Sequence, residues 1–459
     1  MVADVVVLGL GSAGAAAATF FARAGRNVVA VDKRAVGETG ARWMNAVPRW
    51  CFEAARLPPP GGDCLFGGGA VEGHRFHLIA PEARGRLSIA APPILHVDMR
   101  RLVDGLARDA IAAGAEVVRG AVTGVAIERG RVRSVTVASE GGSRELAASL
   151  FVDATGIGGA VRGRVPELAA ACPMPDEHSR CVAAEYQFAV RDPEGLRAFL
   201  REHGAEPGHD LAFSGLAGGY STVTLFTTRS LDLVGVLTGS IPSLGVPDAG
   251  ALLDRFVERA PFLGEQLWGG RGAIPVRRPF DVLAAPGVAL VGDAACQVHA
   301  AHGSGVGIGL VAARLLADAT AYASDPGHRD ALLRYERSFH AAHGGLLAAA
   351  DAFRRFVQSA SRGDVRSLIE EGLLEERLAS AALAQHPVRP DIRFAMSMVP
   401  KVARAPGLAL RFLPLAARSA VLDRLGTVGA LPYVGRALGS VLLSRAVGRA
   451  PREAGHGPW

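Results

Sequence analysis

Lysine is nearly absent from this sequence. Of its 459 residues 50 are basic, yet only Lys33 and Lys401 are lysines. Chemistry that needs a lysine amine therefore has two candidates. The five cysteines form no CxxC pair or other metal-ligand spacing, and their odd number argues against a disulfide framework. We predict buried or incidental thiols and no metal site.

Long uninterrupted apolar stretches are also scarce. The run from Val5 to Phe21 approaches the length of a membrane span, but its glycines and the Arg23 that follows suit a strand, a turn and a helix. Asp4 precedes this run without a basic segment, unlike the start of a signal peptide. We therefore predict a cytoplasmic protein, and its length favours two closely packed domains.

The N-terminal segment has a dinucleotide-binding pattern of strand, glycine-rich turn, alanine-rich helix and second strand. In such a unit Gly9 permits the tight turn, Gly11 lets the backbone approach a pyrophosphate, and Gly14 allows close packing of helix and strand. The pyrophosphate would lie on N–H groups at the helix N-terminus, and Asp32 would accept hydrogen bonds from a ribose. The predicted contacts are Gly9, Gly11, Ser12, Ala13, Gly14, Asp32 and Lys33.

This unit alone does not choose between NAD and FAD. Far downstream, a short apolar strand ends in Gly292-Asp293 and leads through His299 and His302 into a glycine-rich helix start. An acid at a strand end beside such a helix start can bind a polyol and the edge of a flavin. The residues predicted for this contact are Asp293, Gly303, Gly305 and Val306.

These segments resemble the FAD motifs of the superfamily that contains para-hydroxybenzoate-hydroxylase-type monooxygenases, geranylgeranyl reductases and flavin-dependent halogenases. The Asp-Ala-Thr-Gly run at 153–156, the arginines after His96-Val-Asp98, and the segment 115–122 are similar to further motifs of that superfamily. The resemblance implies an FAD cofactor, with Asp293 at the ribityl chain and an arginine near the phosphates. It adds to the predicted contacts Arg100, Arg101, Val122, Thr155 and Gly156.

The resemblance also implies an α/β fold. We expect a Rossmann-type FAD-binding domain with an inserted antiparallel β-sheet substrate domain and a C-terminal helical region. Segments rich in β-branched residues between 166 and 280, separated by glycine and proline turns, suit that sheet. The predicted boundaries are 1–165 and 281–345 for the two parts of the FAD-binding domain, 166–280 for the substrate domain, and 346–459 for the helical region.

Few side chains in these segments can perform acid–base chemistry. His299 and His302 are the candidate catalytic residues, because the resemblance places one or both near the flavin and a histidine can exchange protons near neutral pH. Capping the helix or filling the loop is the alternative role for both. Electrons would come from transiently bound NAD(P)H or from a separate flavin reductase, since no second GxGxxG unit is present.

Three flavin reactions compete. We predict a monooxygenase that hydroxylates or epoxidises a small, largely apolar substrate through a flavin C4a-hydroperoxide, in bacterial secondary metabolism. The alternative is a reductase of isoprenoid-type double bonds, which the Gly303 to Val306 spacing resembles. Halogenation is disfavoured, because related halogenases use a lysine near the substrate and neither Lys33 nor Lys401 is placed for it. A cyclase with structural FAD is the remaining alternative.

The C-terminal segment is basic, with nine basic and two acidic residues from position 401 onward. Arg404, Arg411 and Arg418 recur every seven residues and share a helical sector if the helix continues through its prolines. Such a helix could lie on an anionic membrane surface, but we favour a helical cap over the FAD domain. We predict a small-molecule substrate and no nucleic acid, with peripheral membrane contact as the alternative.

Overall fold

The computed structural model describes residues 3–69, 73–83, 85–387 and 391–411. The strands of these residues, in chain order, are β1 (Ala3–Leu8), β2 (Val28–Asp32), β3 (Met44–Pro48), β4 (Arg75–Ile79), β5 (Arg86–Ala90), β6 (Ile94–Asp98), β7 (Glu116–Arg119), β8 (Ala121–Glu128), β9 (Arg131–Ser139), β10 (Gly142–Asp153), β11 (Arg180–Val190), β12 (Asp210–Ser214), β13 (Ser221–Thr227), β14 (Leu233–Ser240), β15 (Leu263–Pro275), β16 (Ala284–Ala285) and β17 (Val288–Leu290).

The α-helices of the same residues are α1 (Ser12–Arg23), α2 (Arg49–Ala54), α3 (Met99–Ala112), α4 (Pro166–Ala171), α5 (Pro193–Glu202), α6 (Ala249–Glu258), α7 (Val306–Thr320), α8 (Arg329–Phe339), α9 (Gly345–Gln358), α10 (Arg362–Glu370), α11 (Glu376–Leu383) and α12 (Ile392–Arg404).

In the described residues the first sheet has eight strands. Six follow the order β16-β17-β10-β1-β2-β7 and pair in parallel except at β16, and β9 and β8 extend the sheet from β10 by antiparallel pairing. Its central strand β1 is apolar along most of its length and almost fully buried, as expected for a strand covered on both faces. Helix α1 packs against it and against α3 and α7 through buried alanines, whose small side chains let the elements approach closely. This sheet and its helices form the predicted Rossmann-type unit.

The second sheet has the order β15-β11-β14-β13-β12-β4-β5 and is antiparallel except where β12 meets β4. Five of its strands come from the predicted substrate segment 166–280. The other two, β4 and β5, come from within the segment predicted as the first part of the FAD-binding domain. The chain leaves the first sheet after β2, forms β3, which pairs with β6 in a separate two-stranded sheet, and then enters the second sheet, where β4 pairs with β12. The architecture is thus the predicted α/β fold, and the domain boundaries remain a prediction.

The described part of the C-terminal region is helical. Helix α12 contains Pro400 and ends at Arg404, before Pro406, so the sector of arginines that we expected is not carried by one continuous helix. Arg411 pairs with Asp364 of α10 at 3.0 Å. The predicted Arg418 and all of 412–459 lie outside the described residues. Within the described ranges, none of the helices has the length and apolar character needed to cross a membrane.

Candidate active site

The turn between β1 and α1 shows which glycines the protein itself requires. Gly9 has φ +89°, and a Cβ there would meet the Ala154 carbonyl oxygen at 2.4 Å. A Cβ at Gly14 would meet the Gly9 oxygen at 1.8 Å. Gly11 is different, because its backbone is extended and the nearest atom to an added Cβ is Gly40 Cα at 4.0 Å. The protein packing therefore does not require glycine at position 11, and a ligand that approaches the backbone would.

The end of β2 is tied to this turn. Asp32 Oδ2 accepts a hydrogen bond from the Leu10 N–H at 2.8 Å, and its Oδ1 accepts one from the Arg34 N–H at 2.9 Å. The Asp32 carbonyl accepts a hydrogen bond from the Gly120 N–H at 2.8 Å. This bond holds the start of β8, which contains Val122, beside the end of β2. The predicted ribose and adenine contacts are therefore neighbours in space. Lys33 follows them with an exposed side chain.

The distant Gly-Asp segment and the glycine-rich helix start meet the N-terminal turn. A Cβ on Gly292, which has φ +67°, would lie 3.0 Å from the Ala13 Cβ, and one on Gly309 would lie 3.2 Å from the same atom. A Cβ on Gly305 would lie 3.3 Å from Asp293 Oδ1. The fold thus brings together Ala13, Asp293 and Gly305. In the sequence, Gly303 precedes Gly305 in the same segment and Val306 follows it.

The Asp-Ala-Thr-Gly segment lies beneath the same turn, and Asp153 holds it there. Asp153 Oδ1 accepts from the backbone and hydroxyl of Thr155, at 3.1 and 2.6 Å, while its Oδ2 accepts from the Val161 and Arg162 N–H groups. The buried Arg162 guanidinium donates to the Ala294 carbonyl at 2.7 Å. Thr155 and Gly156 are thereby fixed next to both the N-terminal turn and the Gly292-Asp293 segment.

Asp293 is the acidic group at this junction. Its carboxylate receives no hydrogen bond from any of the residues that the structure describes, and burial raises its pKa to about 6. A desolvated carboxylate that accepts no hydrogen bond is unfavourable in its charged form, and its ionisation destabilises the fold. Hydroxyl groups of a bound ligand would supply the missing donors.

We expect Asp293→Asn to stabilise the apoprotein above pH 6 while weakening FAD binding. Because the folded pKa lies above the unfolded value of about 3.9, the protonated carboxyl favours folding and that stability is lost as the pH rises from about 4 to 6. Asparagine cannot ionise, so the variant should gain about 1–3 kcal/mol at pH 8 and nothing at pH 4. Urea unfolding of both apoproteins across this pH range measures the difference; a variant less stable at pH 8 would contradict it.

The two predicted phosphate-binding arginines are placed differently. The Arg100 guanidinium bonds the Asp98 carboxylate at 2.7 and 3.0 Å and stacks on the Trp268 ring at 3.3 Å. The Arg100 guanidinium therefore contacts the second sheet, because Trp268 belongs to β15. Arg101 is exposed and has no ion pair or hydrogen bond with the described residues. Of the two arginines, Arg101 is the one whose guanidinium remains available to bind a phosphate.

The predicted catalytic histidines lie together just before α7. Their rings stack with centroids 4.3 Å apart, and His302 Nε2 donates to the Ala382 carbonyl of α11 at 3.1 Å. Burial lowers the pKa of His299 well below its ordinary value, and its Nδ1 is buried without a partner in the described structure. The His302 ring keeps accessible surface, yet desolvation by the surrounding protein lowers its pKa to about 4. Both rings are neutral at pH 7, and their catalytic role remains a prediction.

Tyr220 is the side chain at this junction that the sequence did not single out. It precedes β13 and donates its hydroxyl hydrogen to the Ala300 carbonyl at 3.3 Å, and that hydroxyl would lie 3.6 Å from a Cβ on Gly303. Burial raises its pKa well above the ordinary value, so the phenol stays protonated. Around it lies an apolar cluster of Cys181, Ile241, Ile274, Val276 and Ala300.

Comparison with known proteins gives two kinds of match. The family model described as tryptophan halogenase matches residues 66–169. A digeranylgeranylglycerophospholipid reductase of Methanopyrus kandleri is 27% identical over 348 residues, which is 72% of this chain and 84% of the relative.

Solved structures share the fold. A geranylgeranyl bacteriochlorophyll reductase-like protein from Thermoplasma acidophilum superimposes with a TM-score of 0.70 at 18% identity, over 90% of this chain and 99% of that one. A probable FAD-dependent monooxygenase from Pseudomonas aeruginosa gives a TM-score of 0.57 at 19% identity, over 80% and 99% of the two chains. With the motifs and geometry above, these matches place the chain in the superfamily of FAD-dependent monooxygenases and reductases, and it is an FAD-dependent oxidoreductase.

Proposed function

We propose that this protein is a flavin-dependent reductase of isoprenoid-type carbon–carbon double bonds. The observation that carries the proposal is the match to a digeranylgeranylglycerophospholipid reductase over 72% of this chain and 84% of that relative. It favours the alternative of the sequence analysis over the hydroxylation or epoxidation that we predicted first. The reductase-like protein from T. acidophilum also has a higher TM-score than the P. aeruginosa monooxygenase, 0.70 against 0.57.

The residues at the junction fit FAD. Gly11 leaves its backbone open, Asp293 receives no hydrogen bond from the described part of the chain, and the N-terminus of α7 directs N–H groups to the same region. Asp32 would bind the ribose, and Arg101 would contact the phosphates. When bound and reduced, FAD supplies hydride to a substrate carbon.

Reduction of a double bond also requires a proton for the second carbon, and we propose that Tyr220 donates this proton. Its phenol lies at the loop that leads into α7 and is surrounded by apolar side chains that suit an isoprenoid chain. Because burial raises its pKa, the phenol would give up its proton only to a strongly basic substrate carbon. His299 and His302 are uncharged at neutral pH, and a neutral imidazole is a very weak acid, so we assign them to orienting the loop by hydrogen bonding. After transfer, Tyr220 would be reprotonated from solvent.

The reaction class is tested by product mass. FAD-loaded protein, reduced chemically under anaerobic conditions, is mixed with a geranylgeranyl glycerolipid, and we expect about two mass units to be added for each double bond reduced. Parallel samples receive O₂, or O₂ with bromide. An oxygen-containing product that forms only with O₂ would overturn the proposal in favour of monooxygenation, and a brominated product would do so in favour of halogenation. Omitting the chemical reductant and adding NADH or NADPH tests the electron source.

Tyr220→Phe should slow substrate reduction by about 100-fold, because the variant keeps the ring but loses the acidic proton. Chemical reduction of the flavin, which does not use this proton, should proceed at an unchanged rate. Single-turnover absorbance of the flavin separates the two steps. Tyr322→Phe, at a fully exposed tyrosine, is the matched control and should behave as wild type. Equal slowing of both steps would show that Tyr220 only maintains the fold.

Halogenation is the second candidate, since the tryptophan halogenase model matches residues 66–169. Neither lysine supports it. Lys33 is exposed beside Asp32, and Lys401 forms an ion pair with Glu375 in the C-terminal region. The bromide sample described above therefore should yield no halogenated product.

A further inference from the structure

Two histidines and an aspartate that we have not assigned to the flavin site converge at the second sheet. His74 lies just before β4, His96 is in the middle of β6, and Asp210 begins β12. The Nε2 atoms of His74 and His96 lie 3.0 and 3.2 Å from the same oxygen, Asp210 Oδ2. All three ligand atoms lie within 4.8 Å of one another. We propose that these residues form a binding site for a divalent transition-metal ion.

The spacing suits a small, imidazole-preferring ion. With metal–nitrogen and metal–oxygen bonds of about 2.0–2.2 Å and tetrahedral angles, neighbouring ligand atoms are about 3.3–3.6 Å apart. The two contacts with Asp210, at 3.0 and 3.2 Å, are slightly shorter, so a small outward movement of the rings would admit the ion. Imidazole ligands select zinc and its neighbours over magnesium and calcium, which prefer oxygen. Three protein ligands also leave a coordination position for water.

Hydrogen bonding accounts for only part of the arrangement. The His74 ring hydrogen-bonds Asp210 with acceptable geometry, whereas the buried His96 Nε2 lies 3.2 Å from the same oxygen in electrostatic contact, without a well-aligned hydrogen bond in the described structure. A buried ring nitrogen that faces a carboxylate without a well-aligned hydrogen bond gains less than its desolvation costs unless another group satisfies it. A metal ion between the two would satisfy both.

The cluster is held rigidly and is shielded from water. Asp210 is paired with Phe76 of β4 and with Phe226 of β13, and the Phe226 ring lies 4.8 Å from the His96 ring. The Asp210 side chain is 3% exposed and those of His74 and His96 are 16% and 14% exposed. Ligands that are positioned by strands need little rearrangement to bind an ion.

The position indicates what the ion would do. It would join β6 to the second sheet, and β6 pairs with β3, where His96 lies opposite Ala46. The Ala46 carbonyl accepts a hydrogen bond from the Ser304 hydroxyl, in the glycine-rich segment before α7, at 3.0 Å. The proposed ion would therefore stabilise the strand pair that supports the loop beside the flavin. We infer a structural role, in which metal binding is independent of whether the enzyme reduces isoprenoids.

The test uses the full-length protein, stripped with a chelator and then titrated with Zn²⁺. We expect one Zn²⁺ per chain by calorimetry and by elemental analysis after desalting, together with a rise in the thermal midpoint. His96→Gln and Asp210→Asn should each weaken Zn²⁺ binding by about tenfold or more. His203→Gln is the matched control, since its ring bonds the Phe199 carbonyl outside the cluster, and it should bind as wild type.

Each alternative result is decisive. Failure of the wild type to bind Zn²⁺ at micromolar concentration, or equal binding by wild type, His96→Gln and Asp210→Asn, would overturn the site. If either variant does not fold, as judged by circular dichroism, His74→Gln replaces it. In addition, Co²⁺ bound to the wild type should show the strong visible absorption of a low-coordinate ion, and the weak spectrum of hydrated Co²⁺ would contradict the proposal.

Discussion

Replacing Gly11 with alanine should leave a folded protein that binds FAD about tenfold or more weakly. Among the described residues, the added methyl group meets no atom closer than 4.0 Å, so the apoprotein can accommodate it. It would, however, occupy the space through which a pyrophosphate approaches the backbone at the start of α1. Titration of apoprotein with FAD, followed by flavin fluorescence, gives the dissociation constant.

The matched control is Gly105→Ala within α3, where an added Cβ has no neighbour within 4 Å in the part of the chain that the structure describes. This variant should bind FAD as wild type and gain about 0.5–1 kcal/mol of stability from the better helix former. Gly11→Ala is at the N-cap of α1 and should lose no more than about 1 kcal/mol. Unchanged FAD affinity in Gly11→Ala would mean that the pyrophosphate does not lie at this turn.

Asp351→Asn should lower the free energy of unfolding by about 3–5 kcal/mol. Asp351 and Arg354 form a fully buried ion pair on α9, and Asp351 also accepts from the Arg278 N–H at 3.1 Å. Arg354 in turn donates to the His178 carbonyl at 2.9 Å. The pair thus binds two of the segments that connect the sheets, one before β11 and one after β15, and the variant would leave a buried guanidinium without its carboxylate.

Chemical denaturation measures this effect, and its pH dependence gives a second check. Burial opposes ionisation of Asp351, but the charges of Arg354 and Arg355 outweigh it and lower its pKa. The stabilisation is therefore present above the unfolded pKa of about 3.9 and lost as the pH falls below it, so wild type and variant should converge in acid. Asp330→Asn, at an exposed aspartate, should change stability by less than about 0.5 kcal/mol. An equally small change in Asp351→Asn would contradict the assigned role.

Local sequence patterns were sufficient to predict the cofactor-binding unit. A buried strand, a glycine turn and an alanine helix follow from neighbouring residues, and Gly9 and Gly14 are required by contacts within that unit. The likeness of the downstream Gly-Asp segment to a flavin motif then predicted the superfamily, which the comparisons support. The preferred reaction was less well predicted, because hydride transfer and oxygen transfer use the same flavin motifs.

Other features depended on the tertiary structure. In the sequence, Tyr220 is one residue of a β-rich segment and nothing marks it as functional. The fold places its hydroxyl group within hydrogen-bonding distance of the Ala300 carbonyl. His74, His96 and Asp210 have no metal-ligand spacing, and they meet because β4 and β12, which are far apart in the chain, pair in the second sheet. The sequence by itself therefore determined the flavin-binding unit, whose contacts are largely local or carried by recognisable motifs. Only the tertiary structure determined which side chains meet between the sheets, because strand pairing between distant segments leaves no periodic signal in the sequence.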